Sequence, residues 1–151
     1  MANYTGCFRS NNFVVTDKDR FDELCKGLSP DASVSATGEE NGYCIYGSGS
    51  FDWYPPVSEN ECKNCAYSGN CEFISGDERC RFDFDGCVDE FFDEMQKIIP
   101  TDRAFAMFES GHESYRYVTG CVTVVTKDGG DMFLDLTQSA GLFAKEHGAR
   151  T

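Results

Sequence analysis

The sequence predicts an α+β fold: a mostly antiparallel sheet with two to three helices on one face, plus a cysteine-rich metal-binding insert. Three observations lead there. Short strand-like runs bounded by Gly, Pro and Asp recur with helical stretches between them, in the order β-α-β-β, insert, α-β-β-β-α. Helical spacing of apolar residues is clear in two of those stretches. Between the two halves, Cys62, Cys65, Cys71, Cys80 and Cys87 crowd into a segment with no periodic apolar pattern.

Each element has its own signal. Asn11 to Thr16 (NNFVVT) is strand-like. Thr16 followed by Asp19 resembles a capping box, and Phe21, Leu24, Cys25 and Leu28 then mark a helix over 17–28, ended by Ser29-Pro30. Residues 32–37 and 42–47 read as two strands joined by a polar turn, and 50–54 (SFDWY) as a continuation of the sheet up to Pro55-Pro56. After the insert, Val88, Phe91, Phe92, Met95, Ile98 and Ile99 form one apolar stripe that Pro100 closes. Residues 104–109 read as a strand and 114–126 as a longer one, bulged at Gly120. Asp128-Gly129-Gly130 is a hairpin turn, 131–134 returns, and 137–147 forms a last helix with Gly148 as its stop.

A chain of 151 residues with 40% hydrophobic content and 13 Phe is long and apolar enough for one domain, 1–151, with the insert at about 57–87. No apolar run approaches the ~18 residues of a membrane span. The opening MANYTGCFRSNNF lacks the basic and apolar regions of a secretory signal. A cytoplasmic location is therefore expected, where nine cysteines serve as metal ligands and buried thiols rather than as a disulfide framework.

Cys62, Cys65, Cys71 and Cys80 form a C-x2-C-x5-C-x8-C run. A close thiol pair followed by two more thiols in a polar loop builds a tetrahedral thiolate site, closed and structural around Zn²⁺. Cys87 is an alternative fourth ligand. Zinc fits better than an iron–sulfur cluster, because the spacing is not the ferredoxin run. Metal would substitute for the core that this insert lacks. Cys7, Cys25, Cys44 and Cys121 are scattered, and Cys25 and Cys121 fall at core positions.

Signals for catalysis are few. His112 lies in a turn-like SGHES segment and His147 at a helix end, and neither has a local nucleophile partner. There is no P-loop and no G-x-G-x-x-G, so no small-molecule substrate is expected. A net charge of −13 disfavours direct binding of nucleic acid and favours a basic partner. Between Val57 and Glu94 eleven acidic residues face three basic ones. Asp89, Glu90, Asp93 and Glu94 lie largely off the apolar stripe and form like-charge pairs four apart, a weak destabilisation that a purely structural helix would avoid. These four are the candidate partner-binding residues.

The opening Tyr4–Asp17 (YTGCFRSNNFVVTD) and the stretch Phe92–Gly120 (FDEMQKIIPTDRAFAMFESGHESYRYVTG) resemble small proteins carried by phages and mobile elements of gut bacteria. Small size, strong acidity and a cysteine metal site together are similar to type II-A anti-CRISPR proteins, some of which are metalloproteins. The resemblance implies an inhibitor, not an enzyme. It would act in the bacterial host cytoplasm by binding the RNA-guided CRISPR effector nuclease and blocking target-DNA binding or cleavage. Such a nuclease holds nucleic acid in a positively charged channel, which an acidic protein can occupy. Two other classes fit the residues: an acidic adaptor or anti-restriction protein with a different basic partner, and a thiol-dependent metal or redox protein.

Overall fold

A computed structural model gives the architecture and describes residues 4–56, 87–113 and 117–148. Among these the fold is α+β, with seven strands in one sheet and three helices. In chain order they are β1 (Tyr4–Ser10), β2 (Phe13–Val14), α1 (Lys18–Cys25), β3 (Ala32–Ala36), β4 (Gly42–Ser48), α2 (Cys87–Ile98), β5 (Ala104–Glu113), β6 (Tyr117–Thr126), β7 (Gly130–Asp135) and α3 (Leu136–Glu146). Every strand pairing is antiparallel. The insert expected at 57–87, with Cys62, Cys65, Cys71 and Cys80, lies outside the described residues except for Cys87, which opens α2.

β1 is central. It pairs with β4 on one side and, over all seven of its residues, with β5 on the other. The strand expected over Asn11–Thr16 is present only as β2, Phe13–Val14; β1 precedes it without a sequence signal, and the two are interrupted at Asn11. The Asn11 side chain closes the gap: it accepts from the Ala106 N–H and donates to the Ala104 carbonyl, both at 2.9 Å. The Asn11 N–H still donates to the Ala106 carbonyl at 2.9 Å, so the side-chain oxygen takes over only the acceptor half of this step, and β2 resumes against the far end of β4. The register of β5 with β6 runs unbroken from Ala104↔Thr126 to Glu113↔Tyr117, so Gly120 carries no bulge. Gly120 instead makes room, since a Cβ there would collide with Leu136 at the start of α3.

Register sorts the strand residues onto two faces. Phe8, Ile45, Phe105, Met107 and Val125 point to the face covered by α1 and α2 and are buried. α2 contributes Phe91, Phe92, Met95 and Ile98, so its apolar stripe is the core side of the helix. The rings interlock edge to face: Phe13 with Phe105 at 4.9 Å between centroids, and Phe51 with Phe91 at 5.0 Å. Residues 50–54 are not a further strand. They make a single bridge, Leu28↔Trp53, and deliver Phe51 and Trp53 into the core. The indole N–H of Trp53 is satisfied by the Leu24 carbonyl at 2.8 Å.

The helix ends also differ from expectation. Asp17, not Thr16, caps α1, its carboxylate accepting from the Arg20 N–H at 2.9 Å. Thr16 turns away and donates through both its N–H (2.7 Å) and its hydroxyl (2.9 Å) to the Ile98 carbonyl. The start of α1 is thereby tied to the end of α2. The side-chain amide of Gln96 then fixes α2 to the β6–β7 hairpin through the carbonyls of Thr126 (3.0 Å) and Lys127 (3.2 Å). α1 and α2 are consequently held as a pair over one face of the sheet.

Candidate functional site

The burial of one side of α2 determines what its other side presents. Phe91, Phe92 and Met95 face the sheet, so Asp89, Glu90 and Asp93 turn outward and are exposed. Among the described residues none of these three is in an ion pair.

Glu94 is placed differently. Its side chain is only 21% exposed and sits between the two helices. One carboxylate oxygen accepts from Lys97 Nζ at 2.6 Å, and the other from Arg20 Nε at 3.1 Å and Nη2 at 2.6 Å. The hydrogen bonds from Lys97 and Arg20 hold the Glu94 carboxyl below the usual carboxylate range, and the same contact raises the Arg20 guanidinium. Of the four carboxylates singled out in the sequence, three are therefore open to a partner and the fourth is engaged in joining α1 to α2.

Between these helices lies a cleft of about 430 Å³ whose wall includes Leu24 and Trp53. Its charged lining consists of Glu23, Glu90, Asp93 and Glu94 against Arg20 and Lys97, both of which Glu94 already engages. The cleft and the outer side of α2 together form one negatively charged surface. Sequence reasoning did not include Arg20 or Glu23 in it, since nothing in the chain links positions 20 and 94.

Two of the described thiols are held toward the protonated form. Burial pushes the Cys25 thiol up to about 12. Burial, then the nearby Glu109 carboxylate, raises Cys121 as well. Cys44 is buried, with its Sγ 3.6 Å from the Ser10 carbonyl oxygen. Cys7 is exposed and lies 3.3 Å from the Ser110 hydroxyl. His112 is not in a turn: β5 runs through it and leaves it half-buried. Among the described residues no group of three or more His, Cys, Asp and Glu is close enough together to hold a metal ion. The proposed ligands Cys62, Cys65, Cys71 and Cys80 fall outside those residues, as does the side chain of the alternative ligand Cys87.

No helix among the described residues is long and apolar enough to cross a membrane. Comparison with protein-family profiles, characterised proteins and solved structures finds no match to this chain.

Proposed function

We propose that this protein is a stoichiometric acidic inhibitor that docks on the basic nucleic-acid channel of an RNA-guided CRISPR nuclease. The observation that supports this reading is the exposed carboxylate set Asp89, Glu90 and Asp93, carried on a helix whose opposite side is locked into the core. A rigid row of unneutralised carboxylates occupies a channel built for phosphates without being a substrate. It also speeds encounter with a basic surface. Glu94 and Arg20 keep the helix in place rather than make the contact.

In the same reading Cys62, Cys65, Cys71 and Cys80 hold one structural Zn²⁺, with Cys87 as the alternative to Cys80. The donor set suits it: four thiols close in sequence, in a segment poor in aliphatic residues, match closed tetrahedral coordination. The metal would brace the segment next to α2 and supply no chemistry.

The test is target-DNA binding by guide-loaded nuclease with and without the protein. Wild type at a modest excess should abolish binding or cleavage. Asp89→Lys/Glu90→Lys/Asp93→Lys should lose at least tenfold in inhibition, chiefly through a slower association rate that added salt masks. Unchanged DNA binding and cleavage at saturating wild-type protein would reject the nuclease as partner. Capture of a different basic, DNA-binding protein through the same three residues would reassign the surface to the acidic-adaptor class.

A further inference from the structure

The face of the sheet turned away from α1 and α2 carries a second surface, mostly apolar and free of carboxylates at its strand positions among the described residues. One register row crosses five strands on it: Tyr46, Arg9, Phe108, Val122 and Leu134. The next row is Ala106, Val124 and Met132. Phe108 is 51% exposed and Met132 53%, with Tyr46 and Leu134 also in water. Among the described residues, no Asp or Glu occupies a strand position on this face, in a chain with 26 of them, and Arg9 is its one full charge. The strand carboxylates Glu109, Asp131 and Asp135 all fall on the opposite face by register.

We infer that this face is the dimerisation surface of the protein and that its occupant is the same face of a second copy. The choice of occupant follows from charge and area. Each copy carries −13, so approach by the acidic helix side is repulsive. The open face is the surface where two copies meet without bringing carboxylates together. A basic partner would be drawn to the helices, not here. Leu136, at the start of α3, covers this face at Gly120, and the strands left open average about seven residues; five of them at about 4.8 Å spacing and 3.3 Å per residue give roughly 550 Å² per copy, or about 1,100 Å² for the pair. That clears the ~1,000 Å² expected of a specific interface. A sheet face whose exposed side chains are mostly apolar can meet its own copy about a twofold axis, and two such faces pack about 10 Å apart. The inference stands independently of the inhibitor reading, because it concerns the free protein.

Sedimentation equilibrium of the full chain tests it. The expected mass is twice the 16.8 kDa of one chain at micromolar concentration. Association should strengthen at least several-fold from 25 mM to 0.5 M NaCl, because salt screens the mutual repulsion of two acidic bodies and no ion pair is lost. Phe108→Glu combined with Met132→Lys should give a monomer with unchanged circular dichroism, since both side chains are half exposed and support no core contact. Val34→Glu, an exposed apolar site on the helix face, should leave the dimer intact. A wild-type monomer at every concentration and salt, an open-ended series of oligomers, or a folded double variant that still dimerises would each overturn the inference.

Discussion

Replacing Glu94 with Gln isolates the contact that joins α1 to α2. The substitution keeps shape and one acceptor oxygen but removes the charge that both Lys97 and Arg20 address. Those two cations are themselves half or more exposed, which places both pairs in the surface range of about 0.2–1 kcal/mol each. The low exposure of Glu94 argues for the upper part, so the loss should be about 1 kcal/mol at pH 7. For a chain of this size that is a fall of roughly 2–4 °C in Tm. The pH dependence has a definite sign. The folded carboxyl titrates below its unfolded value of about 4.3, so its contribution is complete above that pH. It is lost as pH falls through the folded pKa. Urea unfolding of wild type and variant at pH 7, 5 and 3.5 should therefore give a gap that is constant between the first two and smaller at the third. About 1 M NaCl at pH 7 should shrink it too. A gap that grows on acidification, or none at pH 7, would refute the assignment of Glu94 to this role.

Other substitutions probe the remaining supports. Phe105→Ala removes a fully buried ring that packs on Phe13, Phe91 and Phe92, and should cost about 3–5 kcal/mol in urea unfolding. Gly27→Ala places a methyl against the Trp53 indole and the Tyr54 carbonyl, and should lower stability by about 1–3 kcal/mol with a changed tryptophan emission spectrum. Cys62→Ser with Cys65→Ser should abolish zinc measured by elemental analysis. The near-ultraviolet circular dichroism of the aromatic core should persist, whereas global unfolding would place the metal in that core.

What the sequence made legible follows from how local each signal was. The stripe from Val88 to Ile99 and its Pro100 stop are contained within four turns, and the helix forms there within a residue. The β6–β7 hairpin was equally clear, because Gly130 supplies the positive φ of 72° that its short turn requires. β1 was not legible. In YTGCFRS Phe8 is a large buried apolar side chain, but the strand's next inward position, Ser10, is occupied by a hydroxyl that accepts from the Ile45 N–H at 2.8 Å. Residues 50–54 looked like a strand because Phe51 and Trp53 alternate, yet that alternation serves burial from a loop. Across β6, Val122, Val124 and Val125 put apolar groups on both faces, so the pattern did not say which face the helices would take. The acidic helix was visible as a composition, but the exemption of Glu94 was not, since its partner Arg20 lies 74 residues away.

The central position of β1 has a consequence for synthesis. β1 is synthesised well before its second neighbour: it needs β4 for one edge and residues 104–113 for the other, with Tyr4 pairing to Glu113. Until β5 emerges, β1 can join only the β3–β4 hairpin, as a small sheet fragment. Sheet closure therefore comes late, through a pairing of high sequence separation, which places folding in the slower millisecond-to-second range of such topologies. During that interval the unpaired edge of β1 stands open, and the strong negative charge of the chain keeps neighbouring nascent copies apart until its proper partner arrives.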